Sequence, residues 1–109
     1  MAHRITSEFW ISGYKQYLNS VGIPLFVINK GDDKAGAIIV RVSDLSGKST
    51  VFSQGIDMDG NKTWEQLGQG YDSEMDKIVI RQIQYDPDIW VLEIEEKSGK
   101  HFLEEFSIA

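Results

Sequence analysis

The stretch QYDPDIWVLEIEEKSGKHF, Gln84 to Phe102, sets Asp86, Asp88, Glu93, Glu95, Glu96 and His101 around Trp90 and a run of aliphatic residues. Carboxylates at this density beside an imidazole have the chemistry to hold a cation or to act as a general acid–base pair. Glu93 and Glu95 stand two apart, so on a strand they share a face, and Asp86 and Asp88 do the same in an extended turn. Ile94 between the glutamates points the opposite way, and Lys97 and Lys100 follow. That pattern equally describes a strand leaving the core for water. If the last strands form a hairpin through Ser98-Gly99, His101 returns beside Glu96. The return reaches Asp88 only several residues later, which argues against a compact His101–Asp88 metal site. His3, the other histidine, lies far away near the terminus.

A second constellation is built on arginine. Arg41 interrupts the apolar run AIIVRV, where a charge needs a partner. Arg81 falls in the last turns of a helix expected before Pro87, and Asp86 follows that end within reach of a guanidinium fork. A half-buried cluster of Arg41, Arg81, Asp86 and Asp32 is therefore expected, as a structural tie or as a site, since charge networks occur as both. Trp64 sits in the glycine-rich part of the chain. It is a partner anchor if exposed and core if folded onto the sheet. The candidate binding residues are Asp32, Arg41, Trp64, Arg81, Asp86, Asp88 and Trp90, with no catalytic residue, metal ligand or cofactor assigned.

Other motifs carry less. DMDGNKTWE has Asp57, Asp59 and Asn61 at alternate positions, as calcium loops do, but Lys62 and Gly68 stand where the loop pattern wants glycine and an acid. Asp59-Gly60 reads better as a hairpin turn. GDDKAG lacks the Lys-Ser/Thr pair of a phosphate loop, and no GxSxG or GxGxxG occurs. The chain has no cysteine, which removes disulfides, thiolate zinc sites and a cysteine nucleophile.

The elements that would position these residues are marked by periodicity. TSEFWISGYKQYLNSVG places Trp10, Tyr14, Tyr17, Leu18 and Val21 at helical spacing, with Thr6 as N-cap, Gly22 as stop and Pro24 beyond it. PLFVINKG, AIIVRV and TVFSQGI read as strands separated by GDDKAGA and SDLSGKS, both with tight-bend chemistry. TWEQL would be a short returning edge strand. DSEMDKIVIRQIQYD carries the stripe Met75, Val79 and Ile83, with Ser73 or Asp72 as cap and Pro87 as terminator. IWVLEIEE is strand-like, and HFLEEFSI would be a last edge strand.

Leu25 to Ile28, Ile38 to Val40, and Ile89 to Leu92 are nearly continuous apolar runs, which implies burial on both sheet faces. A helix on each side provides it. The expected fold is a three-layer α/β/α sandwich around a mixed sheet of four or five strands. A two-layer α+β sandwich is the alternative.

The 109 residues suit one domain spanning 1–109, and 41% hydrophobic content is enough for a core. A net charge of −6 disfavours binding to nucleic acid or to an anionic membrane surface. MAHRITSEFW lacks the apolar segment of a signal peptide, and no run approaches a membrane span, so a cytoplasmic protein is expected.

SEFW, GDDKAGAIIV, RQIQYDPDIWVLEIEE and GKHFLEE together resemble the domain-of-unknown-function family 1491, small bacterial and mainly alphaproteobacterial proteins of about this length. DPDIWVLEIEE is the most specific part, and the likeness is weakest between Gln54 and Asp72. The resemblance implies a stand-alone α/β sandwich in a bacterial cytoplasm and brings no activity, cofactor or catalytic residue. The sequence thus favours an uncharacterised non-enzymatic protein-binding or regulatory module, a monomer or weak homodimer with a protein partner. The alternative is a small carboxylate- or metal-dependent enzyme with a site near Asp32, Asp33, Asp86 and Asp88.

Overall fold

The computed structural model describes residues 5–106, apart from the side chains of Ile56 and Lys62. The elements are α1 (Ser7–Ser20), β1 (Leu25–Asn29), β2 (Ile38–Ser43), β3 (Lys48–Ile56), β4 (Lys62–Tyr71), α2 (Asp72–Tyr85) and β5 (Trp90–Glu95). The five strands lie in the order β1-β5-β2-β3-β4, with β5 parallel to β2 and the other neighbours antiparallel.

Alternation along β2 and β5 decides which helix each residue meets. Ile38, Val40, Val42, Trp90, Leu92 and Ile94 pack with Trp10, Tyr14 and Leu18 of α1. Ile39, Ile89, Val91 and Val51 pack with Met75 and Val79 of α2. The sheet therefore carries one helix on each face, the three-layer arrangement its continuous apolar runs imply. Thr6 caps α1 by accepting the Phe9 N–H at 3.1 Å. Gly22 ends that helix with φ +77°, and the Ile23 N–H donates to the Leu18 carbonyl.

Four features differ from the sequence reading. β1 is not buried on both faces: Leu25 is buried, but Phe26, Val27 and Ile28 are exposed, because β1 is the sheet's edge rather than its centre. β1 and β2 are not joined by a tight bend. β5 inserts between them, so residues 30–37 cross the start of β5. β4 is a full ten-residue strand, not a short one. HFLEEFSI is no strand over residues 101–106, and Ser107 and Ile108 lie outside the described residues. Phe102 has φ +60° and its carbonyl accepts the Phe106 N–H, which curls the segment over α1 and seats Leu103 and Phe106 against its aromatic stripe.

α2 begins two residues earlier than a Ser73 cap would place it and one earlier than an Asp72 cap would. Tyr71 is the N-cap residue, the Glu74 carboxylate accepts the Tyr71 N–H at 3.4 Å, and the Asp72 N–H donates to the Gly47 carbonyl.

Position in the sheet sets what a truncation costs. Leu92→Ala, in the doubly covered strand, is expected to lose about 2–5 kcal/mol in urea unfolding, whereas Val27→Thr on the edge should stay within about 1 kcal/mol of the parent. Similar losses for both variants would contradict the strand order.

Candidate functional site

Arg41 is buried in the middle of β2 on the α2 face. Its register partner on β5 is Glu93, and on β3 Val51. Because α2 runs back over the sheet from the far end of β4, its first turns come down onto this arginine. Nη1 pairs with Asp76. Nη2 reaches the Asp72 carbonyl at 3.1 Å and its carboxylate at 3.4 Å, and Nε reaches the Ser49 hydroxyl at 3.2 Å and Glu93 at 3.5 Å. The expected partners Arg81, Asp86 and Asp32 are not the ones Arg41 finds. Arg81 and Asp86 belong to the opposite end of α2, and Arg81 forms no ion pair among the described residues. Asp72 and Glu74 in the first turn of α2 read in sequence as dipole partners. That Asp72, with Asp76 one turn on, also answers Arg41 depends on the direction of the helix across the sheet.

Three carboxylates converge on one guanidinium. Glu93 is pushed above the ordinary carboxylate range, first by burial and then by Glu95, Asp72 and Asp76, while Arg41 pulls it down. Although Arg41 lies within ion-pair distance, desolvation and the neighbouring acids prevail.

Asp32, Asp86, Asp88 and Trp90 meet where residues 30–37 cross the start of β5. The Asp32 N–H donates to the Asp88 carbonyl at 2.9 Å, and the Trp90 indole donates to the Asp32 carbonyl at 2.7 Å. A Cβ on Gly31 would stand 2.2 Å from the Asp88 carbonyl oxygen and one on Gly36 2.6 Å, so the crossing requires glycine at both positions. The carboxylates themselves serve local backbone: Asp32 accepts the N–H groups of Lys34 and Ala35, and Asp86 accepts that of Asp88. The crossing also receives α1, whose Ser7 and Glu8 N–H groups donate to the Lys34 and Asp33 carbonyls. Among the described residues no group of three or more His, Asp or Glu side chains could hold a metal ion.

Trp64 is half-buried on β4, with its ring 5.4 Å from that of Trp10. Tyr14 is wholly buried beside them. Its hydroxyl donates to the His101 carbonyl at 2.6 Å, and burial pushes its ionisation well up. His101 itself accepts the Leu103 N–H at Nδ1 and meets the Phe52 ring edge-on, so it belongs to the curled C-terminal segment. His3 lies outside the described residues. In the DMDGN turn, Asp57 accepts the Asp59 and Asn61 N–H groups and Gly60 has φ +83°, the geometry of a hairpin end. A groove between Val42, Lys48, Thr50, Gln69 and Lys97 encloses about 140 Å³, below the roughly 300 Å³ at which ligand pockets begin.

The surface feature that sequence reasoning missed is the outer edge of β1. Among the described residues no strand pairs with it, and Phe26, Val27 and Ile28 are each about half exposed there. An apolar run reads as buried, and only the strand order reveals that it is not.

The Arg41 cluster has a pH signature. A carboxylate whose folded-state pKa is raised binds its proton more tightly in the native state, so stability falls as pH rises from the ordinary carboxylate value through the raised one. Glu93→Gln removes that component. Its urea midpoint is expected to gain on the parent as pH goes from about 4 to about 7. Asp44 and Glu96, lowered by hydrogen bonds from Ser46 and Ser98, act only as pH falls below the ordinary range and do not mask it. A parent–variant difference independent of pH would contradict the burial of Glu93.

The family model described as "Protein of unknown function (DUF1491)" matches residues 5–104. No curated protein matches the chain. Among solved structures, the crystal structure of a DUF1491 family protein from Caulobacter crescentus CB15 is 32% identical over 92% of this chain and 95% of that one, with a TM-score of 0.85. The NMR structure of a DUF1491 family protein from the same organism is 32% identical over 94% of each chain, with a TM-score of 0.80. The solution structure of protein Atu0922 from A. tumefaciens is 25% identical over 85% of this chain and 86% of that one, with a TM-score of 0.72. With the family model spanning nearly all the described residues and the same fold in these relatives, the chain belongs to the DUF1491 family.

Proposed function

We propose that the chain is a non-enzymatic protein-binding module that docks an extended segment of its partner along the outer edge of β1. The observation that carries this reading is the run Phe26-Val27-Ile28, exposed on an edge strand that has no ionisable residue in a chain of net charge −6. Edge strands usually carry charges that discourage pairing. β4, the opposite edge, follows that rule with Glu65 and a register shift after Val51 of β3. An open main-chain ladder with apolar side chains on a rigid sheet is the substrate of β-strand addition, where backbone bonds supply affinity and alternate side chains supply selectivity. The turn carboxylates of Asp32 and Asp86, which accept backbone N–H groups, and the Asp88 carbonyl, which accepts the Asp32 N–H, suit a structural role in holding that sheet. The lack of cysteine suits work in a reducing compartment.

The test is recovery of partners from native lysate with the parent, Val27→Lys and Glu65→Lys as baits, all three checked for an unchanged melting temperature. Loss of a specific partner with Val27→Lys and its retention with Glu65→Lys is expected. The same partners on all three baits would overturn the reading.

A further inference from the structure

Resting on that reading, we infer that the β1 edge selects a basic strand: an extended segment that alternates Lys or Arg with small apolar or β-branched residues.

The inference comes from what stands behind the edge. Phe26 is the register partner of Glu93, so its ring and the glutamate share the α2 face of the sheet. Glu95, two residues on, lies on that same face. Glu93, Asp72 and Asp76 share the single cation Arg41, and the three carboxylates set against one guanidinium leave two uncompensated negative charges when all are ionised. Their side chains remain open to water at 26%, 44% and 57%. Glu95 has no ion pair among the described residues. Ile80, 55% exposed, lies one turn after Asp76 on the same flank of α2.

A sixth strand added outside β1 places the residue opposite Phe26 two strand spacings from Glu93, roughly 9.5 Å. An extended Arg or Lys at that position crosses the Phe26 ring, which favours a cation over its face, and meets the carboxylates of Glu93 and Glu95 behind it. On the α1 face the next residue of the partner meets Val27, whose register neighbour is Leu92, so an apolar side chain fits there. A second copy of this chain does not have this chemistry. Its own β1 is uncharged and would bring a second Glu93 group toward the first.

The probe is a pair of ten-residue peptides, one alternating Arg with Val and Thr, the other carrying Glu for each Arg. Binding is followed by amide shifts in nuclear magnetic resonance, with sedimentation of the free protein over a concentration series. The Arg peptide is expected to shift the amides of β1 and to bind about tenfold more tightly than the Glu peptide. That preference should collapse in the Glu93→Gln/Glu95→Gln variant, which keeps the edge intact, and all binding should vanish in Val27→Lys. Equal affinity for both peptides, lost in Val27→Lys, would overturn the charge preference and leave β1 as the docking edge. Self-association abolished by Val27→Lys, with neither peptide bound, would assign the edge to a second copy. Shifts away from β1, or none with any probe, would overturn the inference outright.

Discussion

The parallel pairing of β5 with β2 is the constraint from which the rest of the structure follows. Val40, Val42, Val91, Leu92 and Ile94 on these strands are essentially without solvent contact. A parallel pair requires a long crossover and cover on both faces. Here the crossover contains β3, β4 and α2, and it lays α2 on one face; α1 must then cover the other. The insertion of β5 between β1 and β2 also explains the crowding at Gly31 and Gly36, where a connection that would otherwise be a hairpin has to pass over the main chain of Asp88. The glycines, the Asp32 and Asp86 turns and the Trp90 indole are consequences of that passage.

A charge pair at the centre of this arrangement needs its own account. Arg41 and Glu93 are register partners on the two most buried strands. A guanidinium buried there alone would be costly. It is placed under the first turns of α2, where the helix dipole is itself unfavourable to a cation. Asp72 and Asp76 both accept from the arginine, and Asp72, with Glu74 in the first turn, also offsets the N-terminal end of the helix. The network fixes where α2 lands along the sheet, because sliding the helix by one turn would separate both acids from Arg41. Such a tie supplies register more than net stability.

Much of this was legible from local chemistry. The helix α1 with its Thr6 cap and Gly22 stop, the Asp57–Gly60 hairpin end, the termination of α2 before Pro87 and the doubly buried character of β2 and β5 all follow from patterns within a few residues. What was not legible is set by strand order. Leu25 to Ile28 has the same apolar continuity as Ile38 to Val40, yet one run is at the edge and the other at the centre. Arg41 announced its need for a carboxylate, but several acids could answer, and the choice of Asp72, Asp76 and Glu93 over Asp86 is made by the direction of α2. HFLEEFSI has strand composition, but over residues 101–106 the left-handed Phe102 and the pull of the Trp10–Tyr14 surface turn the segment into a cap over α1. Asp32, Asp88 and Trp90 do assemble, though through backbone carbonyls and N–H groups and not through their carboxylates.

The two edges of the sheet differ in how they meet water. β4 is long, but α2 follows it directly and packs Ile78 and Met75 onto its Gly68, and the strand carries the exposed Glu65. β1 has only two protections: it is five residues long, and its pairing with β5 shifts between Val27 and Asn29. Both limit how far pairing can propagate, which guards against open-ended association. Neither accounts for three consecutive apolar side chains exposed there, since replacing them with polar residues would cost the core little. Leu25 alone of this strand is buried in it. A short register-limited edge also restricts the backbone bonds that an added strand could form. Discrimination at such an edge has to come from side chains, and the side chains behind it are carboxylates held in place by the same arginine that positions α2.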